Sequence, residues 1–317
     1  MSTPSAALPQ VSALQYRVRE PAPRISVVVP NYNGEATLET TLRSILDQGY
    51  SNLELIVVDG GSTDGSVEII KRYQDRLAYW VSQKDDGQYH AINHGFEQAT
   101  GEVLAWLNSD DVHYPWTLRA VGKIFDENPE VEWIMGRPNM MVDGVLTMVM
   151  DMQPRCRELL RAGLYSDRTH GVVQQESCFW RRGLWEKAGG LDLQYSLAGD
   201  FELWTRFARH AELVTTDMLL GTFCFHGENR SSKFLEEYCR QQGEVIANLP
   251  PEEARSRQKL QRDLEWLHRV RNKHFSKKLV RGVTGLRKLR APVLHFHANY
   301  QEGRDESHFM LKRRKLF

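Results

Sequence analysis

The sequence predicts an α/β fold: one mostly parallel sheet flanked by helices, with a helical extension at its C-terminal end. Three observations lead there. Apolar, β-branched runs at residues 25–29, 53–58 and 103–107 have the continuous hydrophobicity of strands buried on both faces. Segments with helical spacing separate them. Each run ends in a polar stretch, as strands of a parallel sheet do where the chain leaves for a right-handed crossover.

In chain order, the first strand stops at Pro30. Residues 35–48 then predict a helix with Leu38, Leu42, Ile45 and Leu46 along one face. The second strand spans 53–58, and Asp64 can cap a helix over 65–73. A short strand at 77–81, a helix over 88–98 and the strand at 103–107 complete the regular series. The middle is less periodic: a strand at 131–135, a hairpin over 140–150 turning at Asp143-Gly144, helices over 181–188 and 198–209, and one or two strands within 213–225. From Lys233 the chain reads as almost wholly helical. This divides it into a proline-bearing tail (1–23), a main α/β domain (24–232) and a basic, mainly helical extension (233–317).

Hydrophobic residues make up 41% of the 317 and aromatics 10%, enough for a sizeable core. Cys156, Cys178, Cys224 and Cys239 form no CxxC pair, which argues against a zinc knuckle, a redox dithiol or a disulfide framework. No run of about 18 apolar residues exists, and the first residues lack a signal-peptide pattern. A cytoplasmic protein is expected. Its net charge of zero hides an asymmetry. Residues 255–317 carry 18 Lys and Arg against 5 Asp and Glu, and the remainder 23 against 36. The basic extension therefore suits an anionic partner. One reading is the inner membrane face, met through an amphipathic helix around residues 279–289; the other is the acidic body or a second subunit of a homo-oligomer. Nucleic acid is not an expected partner.

In a parallel sheet, ligands bind outside the carboxyl ends of the strands. That rule selects residues 30–35, 59–64 and 108–111. Carboxylates in Asn108-Ser109-Asp110-Asp111 suit Mg²⁺ or Mn²⁺, which prefer oxygen ligands and bind diphosphates; a simple turn explains the tetrapeptide as well. In Asp59-Gly60-Gly61-Ser62-Thr63-Asp64-Gly65 a carboxylate can accept a base or ribose donor, or the segment is only a capping turn. It is neither GxGxxG nor a Walker loop. Tyr32 can stack on a base or pack locally. Asp200, in a predicted first helical turn, is a general base or a favourable terminal charge. His226, after an apolar strand, is a metal ligand or an ordinary hydrogen-bonded histidine.

The order of these signals resembles the family-2 glycosyltransferases, whose fold is GT-A. The match is carried by Val27-Val28-Val29-Pro30-Asn31-Tyr32-Asn33, by Val57-Val58-Asp59-Gly60-Gly61-Ser62-Thr63-Asp64-Gly65-Ser66, by Gly101-Glu102-Val103-Leu104-Ala105-Trp106-Leu107-Asn108-Ser109-Asp110-Asp111 and by Ala198-Gly199-Asp200-Phe201-Glu202-Leu203-Trp204. Asn93-His94-Gly95 lies between them, and Val173-Gln174-Gln175-Glu176-Ser177-Cys178-Phe179-Trp180-Arg181-Arg182 is similar to the acceptor-side segment of bacterial polysaccharide-assembly members.

The resemblance implies a metal-dependent, inverting enzyme in this sense: a sugar leaves a nucleoside diphosphate, most simply UDP but also GDP or dTDP, for the hydroxyl of a saccharide or lipid-linked acceptor. It places Pro30, Tyr32, Asn33, Glu35, Asp59, Asn93, Asn108, Ser109 and Asp110 at the donor. Asp110 and His226 would hold Mn²⁺ or Mg²⁺, Asp200 would be the catalytic base, and Gln175, Glu176 and Trp204 would line the acceptor side. Two positions depart from the family pattern. Asn108 stands where the first Asp of Asp-x-Asp belongs, and Ile92 where many members carry an Arg before Asn93. A sugar-nucleotide-forming nucleotidyltransferase would need a basic, Gly-rich loop after the first strand, where this chain has Asn31-Tyr32-Asn33-Gly34-Glu35. A binding module without turnover is favoured only by Asn108.

Overall fold

The computed structural model describes residues 22–151, 154–166, 171, 173–227, 229–271, 289–297, 300–301, 304–305 and 308–315. The regular series unfolds as the hydrophobic periodicity requires: β1 (Ile25–Asn31), α1 (Leu38–Leu46), β2 (Leu53–Asp59), α2 (Ser66–Tyr73), β3 (Tyr79–Ser82), α3 (Gln88–Gln98) and β4 (Val103–Trp106). A short β5 (Val112–His113) leads into α4 (Thr117–Glu127) and β6 (Trp133–Met135). The hairpin β7 (Asn139–Val142) and β8 (Val145–Val149) turns at Asp143 and Gly144, both at positive φ, as the sequence predicts. Then come α5 (Arg157–Arg161), β9 (Cys178–Arg181), α6 (Arg182–Ala188), α7 (Gly199–His210), β10 (Val214–Thr216) and β11 (Gly221–Phe225). The chain continues through α8 (Arg230–Lys233), α9 (Leu235–Ala247), α10 (Pro251–Arg271), β12 (Arg290–His297), the two-residue β13 (Tyr300–Gln301) and β14 (Arg304–Asp305), and β15 (His308–Lys315).

Nine strands form the main sheet in the order β15-β12-β10-β6-β9-β4-β1-β2-β3. All neighbours in it are parallel except those of β9 and β15. Alternation along the strands builds two cores. Val27, Val29, Leu55 and Val57 face α1, α2 and α4 through Leu42, Ile70 and Ile124. Val28, Ile56 and Val58 face α3, α5 and α7. Gly95 on α3 lies so close to β1 that a Cβ would come within 2.5 Å of Val28, so only glycine lets that helix sit down on the strand. An aromatic stack fills the space under α7: Trp204 lies parallel to Trp106 at 5.7 Å between ring centroids and against Trp133 at 5.2 Å.

The extension differs from the sequence reading. Helices α9 and α10 are present, but β12 and β15 then return to the main sheet, with β12 parallel to β10. Leu294, Phe309 and Leu311 join the core beside α4, and Arg313 pairs with Glu212. Through β12 and β15 the extension thus packs on the acidic body. The amphipathic helix expected around 279–289 lies, apart from Leu289, outside the described residues, as does nearly all of the N-terminal tail. Among the described residues no helix is long and apolar enough to cross a membrane.

His113 on β5 is 4% exposed, its ring 5.3 Å from that of Phe179. Burial pushes its imidazole down to a pKa of about 3. The unfolded chain takes up this proton near pH 6.5 while the folded chain refuses it. Stability from this group is therefore complete above pH 6.5 and is lost as pH falls. Moving from pH 7 to pH 5 should lower the unfolding free energy by about 2 kcal/mol through His113 alone. Urea titrations of wild type and His113→Gln at both values read this as the difference between their pH sensitivities; equal sensitivities would refute it.

Candidate active site

Strands β4, β1 and β2 stand side by side, so the loops after them meet at one end of the sheet. Asp59 closes β2 and is completely buried. Its Oδ1 accepts from Asn31 Nδ2 at 2.7 Å and Ser62 Oγ at 2.5 Å, and its Oδ2 from Ser62 N at 2.9 Å and Ser82 Oγ at 2.6 Å. The neighbouring loops interlock further. Asn33 adopts φ 51°, receives Thr63 N on its side chain and donates its own N–H to Ser62 Oγ. Glu35 accepts from Gly65 N, while Asp64 accepts from the Glu35 and Ser66 backbones. Pro30 is buried within β1, opposite Val58. Tyr32 projects into solvent at 66% exposure. Ser109 approaches this group from the β4 side, its Oγ 3.1 Å from where a Cβ on Gly34 would sit.

The second cluster gathers around Asp110. Its Oδ2 lies 3.0 Å from His226 Nε2 and 3.3 Å from Asn229 Nδ2, although 116 residues separate Asp110 from His226. Asn229 is 3% exposed and holds the turn together. Its Oδ1 accepts the His226 N–H, and its Nδ2 donates to the Cys224 carbonyl. Asp111, 1% exposed, accepts from Cys224 N and from Asn108 Nδ2, which fastens β11 to the loop after β4. Asn108 Oδ1 receives Gln88 Nε2 at 2.6 Å, and Gln88 in turn accepts from Arg230 at 3.3 Å.

Glu176 is 5% exposed and accepts from Gln174. Burial, with the charges of Asp110 and Asp200 beside it, pushes its carboxyl well above the usual carboxylate range. Burial does the same to Asp111, aided by Glu176 and Asp110. Four carboxyl groups thus share one electrostatic neighbourhood. Asp200 sits in the first turn of α7, partly exposed, over the buried Tyr89. The Tyr89 hydroxyl donates to the Leu197 carbonyl at 2.6 Å and lies 3.5 Å from both the Asp200 carboxylate and its backbone N. A Cβ at Gly199 would meet the Tyr89 ring at 2.6 Å, so the glycine allows this underpinning.

Two expected site residues are employed elsewhere. Trp204 is 3% exposed inside the aromatic stack and presents no face to an acceptor; its α7 position points it at the sheet. The Asn93 amide is taken up by both backbone groups of Leu191, at 2.9 Å each, and so works as a scaffold. Ile92 is fully buried in the core, so its position faces away from a ligand. Conversely, Tyr89, Gln88, Asp111 and Asn229 were not singled out from sequence. Of these, Asp111 alone lies in a motif given above.

Residues 26–185 match the profile of glycosyl transferase family 2. The chain belongs to that family. A Mycobacterium tuberculosis glycosyltransferase, itself uncharacterised, is 32% identical over 206 residues, spanning 64% of this chain and 75% of the relative. Two solved structures show the same GT-A fold. TarS (residues 1–349) from S. aureus, solved with UDP-GlcNAc, aligns with TM-score 0.56 at 19% identity over 74% of this chain and 69% of its own. The mannosyltransferase PcManGT from Pyrobaculum calidifontis, solved with GDP-Man and Mn²⁺, aligns with TM-score 0.53 at 24% identity over 73% and 66%. The chain is therefore a glycosyltransferase, and the α/β expectation for its main domain holds.

Four hydrogen bonds to one buried carboxylate make the fold itself sensitive at Asp59. Asp59→Asn turns an NH₂ toward groups that already donate, and hydrogen bonds to a charged group contribute about 1.5–3 kcal/mol each. The variant should lose about 3 kcal/mol of unfolding free energy in denaturant titration. An unchanged midpoint would show that the four contacts carry no stability.

Proposed function

We propose that this glycosyltransferase is metal-dependent and inverting, and that it moves a hexosyl group from a UDP-sugar to an acceptor hydroxyl in cell-surface polysaccharide or glycolipid assembly. The observation that carries this reading is the Asp110–His226 contact at 3.0 Å within a cluster of four carboxyl groups at the carboxyl end of the sheet. A partly open carboxylate with three further carboxyl groups around it, two of them held toward the protonated form by burial until a cation offsets their charge, fits a divalent cation and the diphosphate it accompanies.

Among the described residues no three His, Cys, Asp or Glu side chains form a metal-binding group. Mg²⁺ and Mn²⁺ do not need one, because such ions commonly take one or two protein ligands and complete their shell with water and substrate phosphates. Asp110, with His226, would hold the ion, which when bound supplies charge neutralisation to the departing nucleoside diphosphate. The complex of the Pyrobaculum mannosyltransferase with GDP-Man and Mn²⁺ supports this, and that of the S. aureus protein with UDP-GlcNAc supports a nucleotide-sugar donor.

The chain's own residues do the rest. The loops fixed by Asp59 form the nucleoside cradle, with Tyr32, Asn33 and Glu35 at its rim and Ser109 at the β4 side. Arg230, held by Gln88 at the site, supplies a positive charge to the diphosphate, a part Ile92 cannot play. On the acceptor side, Gln175 Oε1 is a buried acceptor with no partner among the described residues, suited to a ligand hydroxyl. Asp200 takes the proton of the attacking hydroxyl as its oxygen adds to the anomeric carbon, in one displacement without a covalent intermediate. A lipid-linked acceptor would place the enzyme peripherally at the inner membrane face.

Thermal shift against UDP-, GDP- and dTDP-sugars with and without Mn²⁺ identifies the donor; the reading expects a rise for one of them that depends on the metal. Asp200→Asn should cut transfer by roughly 10²–10⁴-fold while leaving donor affinity unchanged. Near-normal turnover in that variant would remove Asp200 from the chemistry. Asp110→Ala should abolish the Mn²⁺-dependent part of UDP binding measured by calorimetry. Equal affinities in variant and wild type would remove Asp110 from the metal site.

A further inference from the structure

The second sheet, in the order β5-β11-β7-β8, carries an apolar face that nothing in the reaction above uses. Its strands pair with a single bulge in β8. Phe225 stands opposite Val142 and Val142 opposite Val145, while Phe223 stands opposite Met140 and Met140 opposite Met148. Paired residues and their i+2 neighbours share a face, so these six apolar side chains form one surface. Every residue of β8 is exposed, Val145 at 62%, and Phe225 is exposed at 37%. None of the fourteen residues of β7, β8 and β11 is charged. Met140, Val142 and Phe223 are half-buried between the exposed Val145, Met148 and Phe225; a partly exposed apolar patch of this kind marks a binding site.

We propose that this face binds the hydrocarbon chain of an amphiphilic acceptor whose hydroxyl-bearing head enters the active site; the proposal rests on the transferase reading above. Position is the first argument. Phe225 is followed directly by His226, which meets Asp110, so the end of β11 lies at the site. Charge is the second. Six side chains without an ionic group offer little to an anionic partner and complement a chain of methylenes.

Two other occupants fit less well. A second copy adding a strand to β8 needs a regular edge, but β8 is bulged. Met140 opposes Met148 and Met141 opposes Leu146, leaving Thr147 as an extra residue, and bulges deter strand addition. Immersion in a bilayer would strand the unpaired backbone groups of this edge in hydrocarbon. A single chain lying across the side chains leaves those groups in water.

The test uses dodecyl maltoside, below its micelle-forming concentration, titrated calorimetrically into the full chain, with maltose as the headgroup control. One saturable site is expected for the detergent and none for maltose. The exposed double variant Val145→Ser, Met148→Ser should weaken that site roughly tenfold or more, since each lost methylene contact lowers apolar affinity. UDP binding with Mn²⁺ and donor hydrolysis should be the same in both proteins. Absence of saturable binding, equal affinity in the variant, or a wild-type dimer that the variant converts to monomer in sedimentation would each overturn the proposal. Failure of the transferase reading looks different: the wild type would bind the detergent yet neither bind nor hydrolyse any nucleotide sugar.

Discussion

The ligand end of this molecule depends on one buried carboxylate. Asp59 receives its four hydrogen bonds from Asn31, Ser62 and Ser82, which lie at or after the ends of β1, β2 and β3. A charge deprived of such partners in the interior costs several kcal/mol, so the three loops cannot separate without exposing or stranding it. The interlocks of Asn33, Glu35 and Asp64 are built on that foundation. Groups that reach a ligand are in this way ordered before the ligand arrives, which lowers the entropy lost on binding.

The second constraint is electrostatic. Asp110, Asp111, Glu176 and Asp200 crowd one region, and the side chains that separate and steady them are amides: Asn108, Asn229, Gln88 and Gln174. Amides bridge carboxyl groups without adding charge. This explains Asn108, which departs from the family's Asp-x-Asp. Its Nδ2 donates to the buried Asp111 while its Oδ1 receives Gln88. An aspartate there could not donate, and it would add a fifth acid beside a carboxyl already pushed far upward by burial. The substitution fits a specialised loop better than a decayed one.

The main domain was legible because burial on both faces leaves an unmistakable mark: continuous apolar runs at β1, β2 and β4, each closed by polar residues. At the candidate site, Asp59 and Asp110 stand out in the sequence because they close or follow a strand, and Asp200 because it opens a helix. Elsewhere the signal was ambiguous in physical terms. Trp204 lies in the same motif as Asp200, one turn further along α7, yet its ring is spent on the aromatic stack against Trp106 and Trp133. Asn93 reads as polar and loop-facing, yet its amide serves the Leu191 backbone. The strands β12 and β15 lie within the stretch that reads as mainly helical. Only alternate positions of β15, Phe309 and Leu311, reach the core, too few to announce a strand. Tyr89 and Asn229 act through contacts with residues 111 and 119 positions away, which no local pattern encodes.

The placement of β12 and β15 has a consequence for how the protein comes into being. Both lie later in the chain than every other strand of the sheet, yet β12 is laid directly against β10. While the polypeptide is being made, the open side of β10 has no neighbour until some eighty further residues have left the ribosome. Strands β1, β2 and β4, which carry the candidate site, can pair long before that. That half of the sheet is thus assembled early around local crossovers, and the opposite margin is sealed last by a long-range contact that is slow to close. A nascent chain spends that interval with an unprotected sheet margin, and this is the stage at which its synthesis is most exposed to misassociation.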